Sequence, residues 1–190
     1  MPQAIPVLDD VFALILTLDG IQPHPSLPKR LGLLLRDLQR ARPTRDPKTL
    51  AELIHALWIS HPNPEAETMM GEAISAIDQG DAHNAHVALL KLSALQPEWP
   101  EVSYKRAVVA LMTGAQQAAI GHLGETLRLE PRHFAALSLF GQICIDYERF
   151  YEARLALQKA LATNPHLNGV KETISAIDAV LHAEAYRLNG

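Results

Sequence analysis

Apolar positions recur along most of this chain at steps of three and four, the spacing that gives an α-helix one greasy face. Leu31, Leu34, Leu35 and Leu38 form one such set, and Leu50, Leu53, Ile54, Leu57 and Trp58 form the next. Met69, Ala73, Ala76 and Ile77 begin a third, and Val170, Ile174, Ile177, Val180 and Leu181 close the chain with another. Pro43-Thr44 separates the first two sets. The earliest segment, Leu8 to Leu18, is apolar on nearly all sides, so it must be buried somewhere. Two placements are open: packing on the leading helix pair, or docking into a groove of this chain or of a second copy. Between Leu18 and Lys29, Pro23-His24-Pro25-Ser26-Leu27-Pro28 is a stiff spacer unsuited to helix.

From Met69 onward the pattern repeats. Pro97, Pro131 and Pro165 are spaced by 34 residues, and so are Ala51, Ala85, Ala119 and Ala153. Leu89, Leu123 and Leu157 keep the same period, as do Gly80 and Gly114, and as do the small residues Ala73, Ala107 and Gly141. Such a period is the signature of stacked supersecondary units. Each unit predicts a helix, a turn at Gly80 or Gly114, a second helix, and a proline stop. The small residues predict that the two helices of each hairpin cross closely, Ala73 against Ala85, Ala107 against Ala119 and Gly141 against Ala153.

Residues 66–165 resemble three tetratricopeptide (TPR) repeats. The small residue, turn glycine, alanine and terminal proline of that family stand as Ala73/Gly80/Ala85/Pro97, Ala107/Gly114/Ala119/Pro131 and Gly141/Ala153/Ala160/Pro165. Two features depart from it. Met69, Ser103 and Leu137 replace the favoured first-helix tryptophan, and Glu148 stands where the third turn glycine belongs. The linking phrases around Pro131 and Pro165 resemble those of alphaproteobacterial TPR proteins.

The expected architecture is all-α: a right-handed, TPR-like α-solenoid of three helix-turn-helix repeats, with an N-terminal helical extension and a C-terminal capping helix. Its divisions are 1–27, an N-terminal segment with a short apolar helix; 28–65, a basic leading helix pair forming a degenerate repeat; 66–165, the repeats; and 166–190, the cap. In such a stack the first helices line the concave side. The resemblance therefore implies a partner groove made by Glu67, Met70, Ile74, Ile77, Tyr104, Val108, Leu111, Met112, Ser138, Gln142 and Ile145. This mostly apolar set suits an amphipathic or apolar protein segment. It does not suit the acidic chaperone tails that some TPR domains hold, because Met70 and Ile74 stand where basic and amide groups would be needed.

Charge changes the picture in one place. The whole chain carries −4, which predicts no nucleic-acid partner. Residues 29–48, however, hold seven basic side chains against Asp37 and Asp46, a local +5, leaving −9 for the rest. A basic helix with leucines on its other face offers a membrane-peripheral alternative to the adaptor reading. A self-associating assembly protein, using Leu8–Leu18, is a further alternative. No lysine or arginine precedes Lys29, so the chain as written predicts a cytoplasmic protein, or a periplasmic one if an export leader has been removed.

Candidate chemistry is sparse. A single cysteine, Cys144, lies between Ile143 and Ile145 and reads as a small buried hydrophobe. His83 and His86 lack a third ligand at metal-binding spacing, and His133 and His166, just after the repeat prolines, suit turn capping and inter-repeat contacts. No phosphate-loop, zinc-protease or serine-hydrolase motif occurs. The expectation is a non-enzymatic scaffold with no cofactor and no metal, whose partner is a protein or peptide or a second copy of itself.

Overall fold

A computed structural model describes residues 5–40 and 42–188; residues 1–4 and 189–190, at the ends of the expected first and last segments, lie outside the described residues. Among the described residues there are ten α-helices and no strand. They are α1 (Pro6–Thr17), α2 (Lys29–Leu38), α3 (Pro47–Ile59), α4 (Pro64–Asp78), α5 (Ala82–Leu95), α6 (Pro100–Met112), α7 (Gln116–Leu129), α8 (Phe134–Asp146), α9 (Phe150–Thr163) and α10 (Val170–Leu188). A single 3₁₀ turn, Leu18–Gly20, follows α1, and the proline spacer after it is non-helical, as its composition predicts.

Helices α4–α5, α6–α7 and α8–α9 pair as hairpins, and α5 on α6, α7 on α8 and α9 on α10 join them in sequence. The period is visible at single hydrogen bonds. Asp81, Ala115 and Arg149 each donate a backbone N–H at 2.8 Å to the carbonyl five residues back, on Ala76, Ala110 and Cys144. The residue before each donor is left-handed: Gly80 and Gly114 at φ 73°, and Glu148 at φ 56°. This is the closing bond of a Schellman-type helix stop, which glycine adopts freely and glutamate only with strain. At the other end of each hairpin, Gln96, Glu130 and Asn164 donate at 2.8 Å to Leu92, Thr126 and Ala160 immediately before the prolines.

The small residues expected at the crossings are all buried. Ala73, Ala85, Ala107, Ala119 and Ala153 are all fully buried. At Gly141 a Cβ would come within 2.8 Å of Leu157 Cγ and 3.4 Å of the Ala153 carbonyl oxygen, so α8 and α9 meet nearly backbone to backbone. Leu89, Leu123 and Leu157 fill the space beside these crossings. At the far end Ile177 is buried, Val170, Ile174 and Leu181 pack beside it on the same core, and Arg154 donates to Asp178.

The apolar N-terminal segment takes neither placement that its sequence left open. Helix α1 lies on α7 and α9, the second helices of two repeats. Leu8, Val11, Ile15 and Leu18 bury into the same core as Ile120, Leu123 and Leu127. The reason is a trough that the repeat period does not mark. Gly121 and Gly124 strip side chains from the outer face of α7, and a Cβ on Gly124 would sit 2.8 Å from Val11 Cγ2. Asp9 accepts from Arg149 at 2.6 Å, Lys159 reaches Asp19, and the His24 N–H bonds the Leu129 carbonyl at 2.7 Å, fixing both ends of the segment.

The basic pair α2–α3 sits elsewhere again. Its leucines, with Ile54 and Trp58, close over Phe134, Ala135 and Leu167, so the hairpin lies across the turns that join the repeats. Asp46 caps α3 at one end, by accepting from the Thr49 N–H, while at the other end the Trp58 carbonyl accepts a 2.7 Å bond from Trp99 Nε1.

Two substitutions test this account. Gly141→Val should overpack the α8–α9 crossing and lower stability by about 1–3 kcal/mol in urea unfolding; an unchanged midpoint would contradict it. Glu148→Gly should relieve the left-handed strain and add about 0.5–1 kcal/mol, a rise of about 2–4 °C in Tm. A fall in Tm would mean that Glu148 is held by something other than the turn.

Candidate partner-binding surface

Helices α4, α6 and α8 carry the residues expected to face a groove, and their accessibility differs sharply. Glu67, Met112 and Gln142 are exposed, Met112 at 39%. Ile74, Ile77, Tyr104, Val108, Leu111, Ser138 and Ile145 are half-buried. Met70, at 1% exposure, is not available to a partner: it lies in one core with Ala66, Ala73 and Leu89 of the first hairpin and Val102 of α6. The three-residue step from Glu67 suggests a shared face, but it also turns Met70 by about 60° around the helix axis, and Met70 is buried where Glu67 is exposed. Along α6, Val108 and Met112 are one turn apart on one stripe, and Gln142 Nε2 is tied only loosely to Asp146, at 3.4 Å.

One polar atom in this set is unusual. The Ser138 hydroxyl oxygen is buried yet has no hydrogen-bond partner. An unpaired buried hydroxyl costs roughly 1–3 kcal/mol.

At the start of α6 the same surface is closed off by a polar knot that the periodicity did not reveal. Glu101, fully buried, accepts a 3.1 Å bond from His133 Nε2, while Lys105 Nζ forms an ion pair with its other oxygen at 3.2 Å. His133 Nδ1 accepts the Ala136 N–H at 3.1 Å, capping α8, which leaves its hydrogen on Nε2 to donate to Glu101. The imidazole is sandwiched: Trp58 of α3 stacks on one side at 4.0 Å and Tyr104 packs at 4.8 Å. His133 therefore performs both tasks its position suggested, turn capping and inter-repeat contact. His166 likewise reaches across its turn, its Nε2 lying 3.2 Å from the Arg40 carbonyl.

Charges here are displaced by burial and by one another. Desolvation pushes the Glu101 carboxyl upward, but the His133 bond and the nearby cations outweigh it and hold the group below its ordinary value near 4.5. Burial, with the Glu101 charge second, pushes the Tyr104 hydroxyl up to about 12. The Cys144 thiol is likewise pushed up to about 12 by burial, which suits a core side chain and not a nucleophile. His83 and His86 open with His122 and Arg106 onto a cleft of about 390 Å³ between α5 and the α6–α7 hairpin. Among the described residues, no three histidine, cysteine or carboxylate groups stand close enough to share a metal ion.

Comparison with known proteins now bears on this arrangement. No family model matches the chain. Over 114 residues, 60% of its length, it is 30% identical to a TPR repeat-containing protein of Rhizobium etli, an alphaproteobacterium. The chain is a distant relative of a TPR protein. The match spans 56% of that relative's own length. Ten helices among the described residues, packed largely in sequential adjacent pairs, are consistent with a TPR-like helical repeat array. TPR proteins are typically non-catalytic and act through protein interactions in general. No helix among the described residues is long and apolar enough to cross a membrane.

The buried carboxylate makes a pH prediction. Because the folded-state pKa of Glu101 is lowered, its contribution is complete above about pH 4.5 and fades as pH falls through the folded value. Glu101→Gln should cost about 1.5–3 kcal/mol at neutral pH, and the difference from the parent should shrink toward pH 3 in denaturant titrations. A gap that stays constant across that range would show that Glu101 is not ionised in the fold.

Proposed function

We propose that this protein is a non-enzymatic adaptor whose α4–α6–α8 side holds an apolar or amphipathic segment of a partner protein. In this reading the hairpins form a right-handed TPR-like solenoid, with α10 as its cap. The observation that carries it is the apolar stripe on α6, half-buried Val108 and exposed Met112 one turn apart, together with the exposed Gln142 amide on α8. Such a surface offers dispersion contacts along its length and a polar group to set register. Buried Glu101 and its partners are already committed to holding repeats together, so charge recognition is not its main resource.

Self-assembly through the N-terminal segment is less well supported, because Leu8, Val11 and Ile15 are consumed against α7 and α9 of their own chain. The membrane-peripheral reading rests on a different face of the molecule and is compatible with the adaptor.

A photo-crosslinker placed at Met112 should label a partner through an apolar or amphipathic segment. Val108→Asp combined with Met112→Asp should weaken that complex about tenfold or more while leaving helicity unchanged. Retained affinity in the double variant, or partner cross-links that form from a probe on the exposed face of α5 at Leu90 and not from Met112, would overturn the assignment.

A further inference from the structure

The cationic stretch becomes a defined surface once folded. Lys29, Arg30, Arg36, Arg40, Arg42, Arg45 and Lys48 are all exposed on the α2–α3 hairpin. Among the described residues only Arg40 has a carboxylate within reach, Asp37 at 3.6 Å. Both acidic groups of the segment are occupied: Asp37 accepts from the Thr44 backbone and hydroxyl, and Asp46 caps α3. Leu31, Leu34, Leu35 and Leu38 point inward, which leaves Lys29, Leu33, Arg36 and Arg40 in one outward stripe at steps of four, three and four. Leu33, 60% exposed in the middle of that stripe, is the anomaly. A leucine this exposed, with the unpaired cations Lys29, Arg30 and Arg36 within one turn of it, gains nothing in water.

We propose that the outer face of α2 is a docking surface for a bilayer rich in anionic phospholipid. The cations match a plane of headgroup phosphates, each adding attraction near such a surface, and Leu33 enters the acyl boundary between them. The charge distribution orients the molecule: a hairpin of +5 faces the bilayer and the remaining −9 faces away. A duplex or single-stranded nucleic acid fits less well. It has no apolar layer for Leu33, and the outward stripe has no aromatic side chain on which a base could stack. The adaptor would then present its partner at a membrane surface, but the lipid contact stands or falls independently of the groove.

Flotation of the full chain with vesicles of phosphatidylcholine alone, or of phosphatidylcholine with phosphatidylglycerol, tests this. The protein should float only with the anionic vesicles and be released by added salt. Arg30→Glu with Arg36→Glu, two exposed and unpaired sites, should weaken partitioning by on the order of 100-fold. Leu33→Ala should weaken it by about fivefold, with the melting curves of both variants matching the parent. Failure to float with anionic vesicles at low salt would overturn the proposal. So would equal binding to neutral vesicles, or indifference to the double charge reversal. Retention on an RNA or DNA oligonucleotide without vesicle binding would assign the face to nucleic acid instead.

Discussion

Two helices can cross at nearly backbone distance only where both carry almost no side chain, and the architecture depends on that condition being met again and again. Gly141 against Ala153 meets it in the third hairpin, where even a methyl group on the glycine would collide with Leu157, and the buried alanines Ala73, Ala85, Ala107 and Ala119 keep the corresponding positions of the other two hairpins small. The close crossings bring Leu89, Leu123 and Leu157 into the core at a constant depth, so each hairpin offers the next one the same surface. The condition then appears outside the repeat. Gly124 admits Val11 to the outer face of α7, and a helix from the far N-terminus is captured by the device that closes the hairpins.

Polar groups have a second structural role, that of tying repeat to repeat. The Glu101–His133 bond joins the first turn of α6 to the cap of α8, while Trp58 stacks on the imidazole and receives, through its carbonyl, the Trp99 indole N–H. Burying a carboxylate this deeply is tolerable only because hydrogen bonding and cations offset the loss of water. The knot also couples the basic hairpin to the array, since Trp58 belongs to α3. The proposed lipid face and the proposed partner face are thereby joined through one packed core.

The proposed binding face and the proposed lipid face use different physics. Along α6 and α8 the accessible groups are apolar or uncharged, so recognition there comes from shape and desolvation. On α2 the cations are unpaired and long, so attraction reaches across a Debye length before contact.

By itself the sequence determined the helices, their hairpin pairing and the positions of their stops, because these are local: a period of 34, a glycine or proline at each break, and a small residue at each crossing. It also marked His133 and His166 as turn residues, since their neighbours are covalently near. Tertiary structure alone decided where the non-repeating parts went. Nothing in the periodicity of α1 distinguishes one apolar surface from another, and only the assembled array exposes a trough at Gly121 and Gly124. Met70 shows the same limit in miniature, because a helical face seen in sequence is wide enough that one residue's rotation separates a groove position from the core. The Glu101 knot joins residues 32 apart in sequence, and that pairing exists only once two repeats have stacked.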